Sequence, residues 1–294
     1  MKYGRAASLV TNIICSSQLD RISKRVCLGL MPGYVRVVNY HDIPYEELGN
    51  FLKQVDWLIS EHDLVSPSQL ESILTSELQL RRPGIVFTFD DGFLSHATFI
   101  AEELYKRGIV GWFFIPTAAP DVSIDAQQKW AIDHKVVGSN TTTSTNTQLF
   151  GAWDDWVNVS KNHVIGSHTH DHVRFSDSLS KGDIEYQLNT SYSLLREKLD
   201  IHRKIFCWVG GEKESYSRVG FEAINDVGTS LSFTTCSLPV IFGADPLQIE
   251  RTNIESGFSS NRVRICDSGL VDMRYMFKRR YINKLKRIDN TCKY

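Results

Sequence analysis

The residues of this chain best suited to chemistry are two adjacent carboxylates and a pair of histidines. Asp90 and Asp91 follow the apolar run 84–89, and His168 and His172 are separated by three residues. Carboxylate oxygens and imidazole nitrogens are common zinc ligands, and three protein ligands leave one coordination position open for water. One aspartate and the two histidines are therefore suited to hold a metal ion, while the other aspartate takes a proton from the water.

The two carboxylates reach one site only if the chain leaves its strand at once. Successive strand side chains point to opposite faces, so Asp90 and Asp91 diverge within a regular strand. Gly92 accepts backbone conformations that other residues resist, and a turn there brings both carboxylates toward one pocket. His170 should point away from His168 in an extended segment. An ordinary turn and a solvated histidine-rich loop are the non-catalytic alternatives, but they do not explain why both motifs occur in this order.

The two motifs together resemble those of the polysaccharide deacetylases, the carbohydrate esterases with a NodB-homology domain. The first is Thr-Phe-Asp-Asp-Gly, which contains Asp90 and Asp91, and the second fits His-[Ser/Thr]-x-x-His from His168 to His172. The resemblance implies that Asp90 is the general base. It also implies that Asp91, His168 and His172 bind a divalent metal ion, with zinc as the expected metal.

A Tyr-His pair upstream of the first motif narrows the resemblance. The alternating residues 35–40 predict a strand, and His41 follows it. This layout is similar to that of the subgroup containing the bacterial poly-β-1,6-N-acetylglucosamine deacetylases, in which this histidine serves as general acid. The resemblance therefore implies that His41 is the acid. Without it, a single histidine after a strand is more often a surface or core residue.

The third motif departs from the family pattern. The family carries a Pro-Tyr-Gly turn after a strand, and Val209, Gly210 and Gly211 stand at the corresponding positions. The resemblance implies that the backbone amide of Gly210 helps hold the oxyanion, a role that needs no phenol ring. The missing ring removes a substrate contact and a support of the turn. Further on, Arg251 lies near the end of a predicted strand, where it either orients Asp90 or pairs with a surface carboxylate.

The order of predicted elements indicates an α/β protein. Strand-like and helix-like segments alternate from residue 35 onward, which is typical of βαβ units and a largely parallel sheet. The resemblance covers residues 35–256 and implies a distorted (β/α) barrel of the NodB-homology type. Residues 1–34 form a basic N-terminal extension with one predicted helix, and residues 257–294 form a basic C-terminal tail. In barrels, chemistry occurs at the carboxyl ends of strands, where the candidate residues are predicted to lie.

Composition sets limits on the location and partners of the chain. Its 294 residues are enough for one large domain, and a formal net charge of −1 gives no global attraction to nucleic acid. Six cysteines without Cys-x-x-C spacing fit a reducing compartment. The short apolar stretch 6–15 follows two basic residues as in a signal peptide, but Thr11 and Asn12 interrupt it. We therefore expect a cytoplasmic or membrane-peripheral protein, with secretion left open.

Two segments outside the motifs have distinctive composition. Residues 274–287 contain seven Lys or Arg and no Asp or Glu. Phe277, Tyr281 and Leu285 recur there at helical spacing, which predicts an amphipathic basic helix that docks on the barrel, contacts an anionic glycan or lies on a membrane surface. The low-complexity segment 139–147 predicts a mobile loop.

These features predict a metal-dependent hydrolase that removes N-acetyl groups from an amino sugar and releases acetate. Its substrate would be a polysaccharide or glycan precursor, and the resemblance makes a bacterial cell-surface glycan the expected class. A catalytically silent carbohydrate-binding barrel of the same family is the first alternative, favoured by the altered third motif. A phosphoesterase on another α/β scaffold is the second, although it would usually need more metal ligands or a phosphate cradle. The sequence leaves the oligomeric state open.

Overall fold

One parallel sheet forms the centre of the protein. The computed structural model describes residues 5–138 and 147–286. Within these ranges the strands are β1 (Val35–Tyr40), β2 (Asp63–Leu64), β3 (Gly84–Phe89), β4 (Gly111–Ile115), β5 (Val164–Ser167), β6 (Ile205–Cys207), β7 (Leu231–Thr234), β8 (Ile249–Glu250) and β9 (Thr252–Asn253). Their order across the sheet is β8-β7-β6-β5-β4-β3-β1-β9, with β2 beside β3. All pairings between these strands are parallel.

The segment 249–253 joins the two edges of this sheet. Its first half, β8, pairs with β7, while its second half, β9, pairs with β1 on the other edge. Only Arg251 separates the two short strands. The sheet is therefore nearly closed, and the predicted distorted (β/α) barrel is confirmed.

Helices surround the barrel and follow most of its strands. Among the described residues the α-helices are α1 (Arg5–Ser16), α2 (Leu19–Leu30), α3 (Leu48–Glu61), α4 (Pro67–Leu74), α5 (Ala101–Lys106), α6 (Ile124–Asp133), α7 (Trp153–Val159), α8 (Lys181–Leu199), α9 (Arg218–Asp226), α10 (Ser260–Asp267) and α11 (Met276–Lys286). α4 begins with a capping box, in which Ser66 and Gln69 exchange side-chain to backbone hydrogen bonds. These bonds satisfy amide groups that a helix start leaves unpaired.

The strands bury both faces, so the barrel has an inner and an outer core. Val35 and Val37 of β1 point inward and pack with residues of β4 and β7, and α4 covers the same cluster. Val38 and Tyr40 point outward and pack with α3 and α5. The alternation follows from strand geometry and explains why β1 and β3 are buried along their whole length. Rigid walls on both sides fix the strand ends that carry the site.

The N-terminal extension differs from the prediction of one helix. It forms α1 and α2, because Gln18 adopts a left-handed conformation with φ 58° between them. The Cys15 thiol at the end of α1 donates to the Asn261 carbonyl, so the extension packs on α10. No helix in the described part of the chain is both long and apolar enough to cross a membrane.

The C-terminal tail forms the predicted helix, but its buried face differs from the prediction. Phe277 is 67% exposed, so this ring does not pack on the barrel as docking of the predicted apolar face would require. Lys278 and Ile282 are buried instead, with Tyr281 and Leu285 partly buried beside them. Except for Thr147, the segment predicted as a mobile loop lies outside the described residues.

Candidate active site

Two consecutive left-handed residues direct the chain out of β3. Asp91 has φ 75° and Gly92 has φ 69°. The sequence suggested the role of Gly92, while the same conformation at Asp91 is one that aspartate tolerates better than most residues. Asp90 and Asp91 are both buried and both line a cavity of about 390 Å³ at the carboxyl end of the barrel. The turn therefore brings the two carboxylates to one pocket, as predicted.

The histidine motif follows β5 and converges on Asp91. The Nε2 atoms of His168 and His172 lie 3.3 Å and 3.1 Å from Asp91 Oδ1. Positive φ angles at Thr169 and His172 fold the segment so that both rings face the carboxylate. His170 points elsewhere, and its Nδ1 lies 3.1 Å from Thr117 Oγ1.

Backbone carbonyls fix the tautomer of both histidines. His168 Nδ1 lies 3.0 Å from the Cys207 carbonyl, and His172 Nδ1 lies 2.7 Å from the His134 carbonyl. A carbonyl can only accept, so each Nδ1 carries the proton and donates it. In the neutral ring each Nε2 then presents a lone pair toward Asp91, as in histidines that bind metals.

This arrangement fits a divalent metal ion. Two ligands of a tetrahedral zinc ion, each about 2.0–2.2 Å from the metal, lie about 3.3–3.6 Å apart. The contacts of Asp91 with His168 and His172 are close to that separation, and the three ligand atoms lie within 4.8 Å of one another. Burial alone raises the pKa of Asp91, but donation from Nε2–H of the two rings in their protonated form outweighs burial and holds that pKa well below its usual value. The centre is thus built around a carboxylate that stays ionised.

A second group that includes Cys207 is less suited to a metal. Cys207 Sγ lies 3.6 Å from Asp90 Oδ1, and both lie near His168. Burial raises the pKa of the Cys207 thiol well above its usual value, with Asp90 adding to the effect and Arg251 opposing it. Metal binding requires the thiolate, which this environment disfavours. Cys207 thus donates to Asp90 as a neutral thiol.

Arg251 holds Asp90 through both carboxylate oxygens. The Nη1–Oδ1 distance is 2.7 Å and the Nη2–Oδ2 distance is 2.8 Å, and the arginine is fully buried. Asn39 also donates to Asp90 Oδ2 at 3.1 Å. Burial raises the pKa of Asp90, but Arg251 and then His168 outweigh it and lower the pKa below its usual value. Of the two roles left open for Arg251, the structure has the one in which it orients Asp90.

His41 follows β1 and lines the same cavity as both aspartates. Its side chain is exposed, while its backbone carbonyl accepts from Nε2 of the buried His96 at 2.8 Å. Burial lowers the pKa of His96, so this ring is a neutral support. His41 thus combines a fixed backbone with access to solvent, which suits a group that exchanges protons.

Gly210 lies in a turn after β6 and also lines the cavity. Its φ of 78° favours glycine, and a Cβ added there would lie 2.6 Å from Ser215 Oγ and 2.9 Å from Arg174 Nε. Arg174 and Ser215 therefore lie directly beside the turn and leave no room for a side chain at this position.

Lys278 of α11 is a cavity residue that the sequence did not identify. Its ammonium group donates to the carbonyls of Gly211 and Thr235 and lies over the rings of Tyr216 and Tyr275. Burial lowers its pKa. It lies in the basic tail, far from the motifs in sequence, so no motif indicates its place in the cavity. Other lining residues missed by the motif analysis are Asn39, Lys135, Val136, Arg174, Glu212, Thr235, Asn253 and Tyr275.

Comparisons with known structures agree with this fold. IcaB from Ammonifex degensii is 21% identical with a TM-score of 0.60, covering 81% of this chain and 98% of that one. The BpsB deacetylase domain from Bordetella bronchiseptica is 15% identical with a TM-score of 0.59, covering 76% and 96%. The Streptococcus pyogenes deacetylase PplD, solved with acetate, is 14% identical with a TM-score of 0.60, covering 79% and 98%. These similarities establish the fold.

The comparison with family models adds the identity of the family. No curated protein sequence matches the chain. The model described as polysaccharide deacetylase matches residues 78–229, just over half of the chain, and this range contains both aspartates and both histidines of the site. The chain belongs to the polysaccharide deacetylase family.

Proposed function

We propose that this protein is a metal-dependent hydrolase that removes N-acetyl groups from an amino sugar within a glycan. The observation that carries the proposal is the convergence of Asp91, His168 and His172 beside an Asp90 that Arg251 keeps ionised. A metal centre and an adjacent ionised carboxylate are the two parts that hydrolysis of an amide by activated water requires.

The three converging side chains would hold the metal, with zinc as the expected ion given its preference for nitrogen and oxygen ligands. Such an ion lowers the pKa of water and polarises an amide carbonyl. Hydrogen bonds from the Nδ1 atoms of both histidines to backbone carbonyls hold the Nε2 atoms toward Asp91. The two rings therefore need not reorient to bind a metal ion.

Asp90 is the proposed proton acceptor. Both of its oxygens bond Arg251, which fixes the carboxylate plane and keeps it ionised at neutral pH. A carboxylate of low pKa is a weak base toward bulk water, and it would accept a proton efficiently from a water that a bound metal had made more acidic. Arg251 therefore lowers the basicity of Asp90, but it fixes the orientation of the carboxylate and keeps it ionised.

His41 and the turn at Gly210 complete the proposed machinery. His41 supplies a proton to the departing nitrogen, which otherwise leaves as an unstable anion. The Gly210 amide donates to the oxyanion, and one such donor is worth about 2.7–4 kcal/mol of barrier. Lys278 contributes indirectly, because it anchors the Gly211 carbonyl next to that amide.

Acetate release from a panel of N-acetylated oligosaccharides, with and without chelator, tests the proposal. We expect turnover that chelator abolishes and added divalent metal restores. The substrate class we propose is a polymeric or oligomeric glycan of the bacterial cell surface, and the panel should include soluble monosaccharides as a comparison.

A carbohydrate-binding barrel without activity is the second candidate. The observation that favours it is the substitution of the third motif by Val209 and Gly210. Under this alternative the same panel shows binding by calorimetry and no acetate at any metal concentration. A retained base, acid candidate and ligand set argue against it, because binding alone needs none of them.

A further inference from the structure

Helix α2 packs on the barrel through its polar face. Asp20 pairs with Arg264 at 2.6 Å, and Lys24 pairs with Asp267 at 2.8 Å. Between them, the Ser23 hydroxyl donates to a backbone carbonyl just after α10 at 2.9 Å. A surface helix of a globular domain usually turns its apolar stripe toward the core and its polar side to solvent. The orientation of α2 is the reverse.

Four apolar side chains of α2 lie exposed on one side of the helix. Leu19, Ile22, Val26 and Leu30 are 48%, 53%, 55% and 76% exposed. Spacings of three and four residues place them in one stripe along the helix. Scattered exposed apolar residues are normal, but a continuous stripe on one helix face marks a binding surface.

Charge next to the stripe identifies the kind of partner. Arg25 is exposed and lies beside the stripe, three residues after Ile22, and the exposed Arg21 lies one turn before Arg25 on the same side of the helix. Neither arginine has an ion-pair partner among residues 5–138 and 147–286, in contrast to Lys24. The only acidic residue between positions 5 and 30 is Asp20, which is buried against α10. The outer surface is therefore apolar and cationic without any compensating carboxylate of its own.

We propose that α2 binds an anionic membrane surface, with its apolar stripe among the acyl chains and Arg21 and Arg25 against lipid phosphates. Interfacial helices combine these same two features. A second copy of the chain fits less well, because a two-fold contact through this stripe brings the same arginines together without an opposite charge. This surface is distinct from the cavity, and the proposal does not depend on catalytic activity.

Vesicle sedimentation with the full chain tests the proposal. The lipids are phosphatidylcholine alone and phosphatidylcholine with about a third phosphatidylglycerol. We expect binding to the anionic vesicles and at least about tenfold weaker binding to the neutral ones. The double variant Ile22→Gln/Val26→Gln should lose about tenfold or more of its affinity for the anionic vesicles, and Arg21→Gln/Arg25→Gln should lose a similar factor.

Matched controls distinguish vesicle binding through α2 from nonspecific binding through any exposed apolar side chain. The double variant Ile124→Gln/Val157→Gln removes two comparably exposed apolar side chains elsewhere and should bind like the wild type. Because the substituted side chains on α2 are exposed, thermal unfolding should stay within a few degrees of the wild type. Vesicle binding that is absent, or equal in the wild type and Ile22→Gln/Val26→Gln, overturns the proposal. A dimer in analytical ultracentrifugation that dissociates in that variant also overturns it, in favour of self-association.

Discussion

Replacing Arg251 by glutamine tests how the barrel controls Asp90. The arginine is fully buried and makes two bonds to the carboxylate, at 2.7 Å and 2.8 Å. The substitution keeps a polar side chain but removes the charge and the fork geometry that matches a carboxylate. Asp90 then remains buried next to Asn39 without its counterion.

The substitution should change both the stability of the protein and the pKa of Asp90. Removing one partner of a buried ion pair costs about 3–5 kcal/mol of unfolding free energy, since the remaining charge is left uncompensated. The pKa of Asp90 also rises, because burial persists and the opposing attraction to Arg251 is lost. In the wild type the pKa of this acid is depressed, so its stabilising contribution is present at neutral pH and disappears only as pH falls through that low pKa. The variant loses the contribution at neutral pH already.

The assay is the pH dependence of kcat/KM for acetate release, measured together with urea unfolding. We expect the acidic limb of the profile to move to higher pH in Arg251→Gln, because a larger fraction of Asp90 is protonated at each pH. Arg251→Lys restores a positive charge without the bidentate bond and should return part of the shift.

Arg36 provides a matched control for this experiment. It is also fully buried and pairs with a carboxylate, Asp272, at 3.1 Å, but it lies outside the cavity. Arg36→Gln should lose a comparable amount of stability, about 3–5 kcal/mol, and leave the acidic limb unchanged. If Arg251→Gln keeps the acidic limb of the wild type, or if Arg36→Gln shifts it equally, then Arg251 does not set the ionisation of Asp90.

Four further predictions concern single side chains. Asp90→Asn should lower kcat by about a hundredfold or more with normal metal content, because it removes a proton acceptor and no metal ligand. His172→Ala should instead lower metal content measured by mass spectrometry, with activity falling in parallel. Lys278→Met should lower kcat about tenfold with KM within about threefold, because the carbonyls of the turn lose their ammonium donor. Glu250→Gln should raise the free energy of unfolding by about 2–3 kcal/mol above neutral pH and change it little near pH 4. Burial raises the pKa of Glu250 to about 7, so in the wild type its ionisation destabilises the folded protein only as pH rises.

Controls decide these four cases. Metal loss in Asp90→Asn would reassign that residue to coordination, and full metal content in His172→Ala would remove it from the ligand set. Lys284→Met, on the exposed side of α11, should leave kcat unchanged, and an equal effect of both lysine variants would exclude a specific role for Lys278. Urea unfolding of Glu250→Gln that follows the wild type at every pH would show that Glu250 ionises normally.

The candidate site was predictable because its parts follow directly from local sequence. Asp90 and Asp91 come immediately after a buried strand, and His168 comes immediately after another. Parallel strands of a barrel end at the same side, so strand order alone brings these residues together. For Arg251 the sequence predicted two possible roles and could not choose between them. Its charge is visible in the sequence, but the burial that pairs it with Asp90 is not.

The buried face of α11 differs from the prediction because a lysine forms part of it. Helical spacing of Phe277, Tyr281 and Leu285 suggested an apolar stripe centred on those side chains. The buried face is centred closer to Lys278 and Ile282, which leaves Phe277 outside. A lysine buries its aliphatic stem when carbonyls are available for its ammonium group, and the turns after β6 and β7 supply two. These carbonyls come from distant parts of the chain, so the sequence around Lys278 does not indicate them.

In helix α2, tertiary contacts override the sequence pattern along a whole face. Its sequence has a clear apolar stripe, and the usual rule places such a stripe against the core. The rule fails because α10 presents Arg264 and Asp267 toward it, and these charges pair with Asp20 and Lys24. Buried charges that lose their partners cost more than exposed aliphatic side chains, so rotating α2 inward would destabilise the domain. The polar contact therefore keeps the apolar stripe turned away from the described part of the barrel.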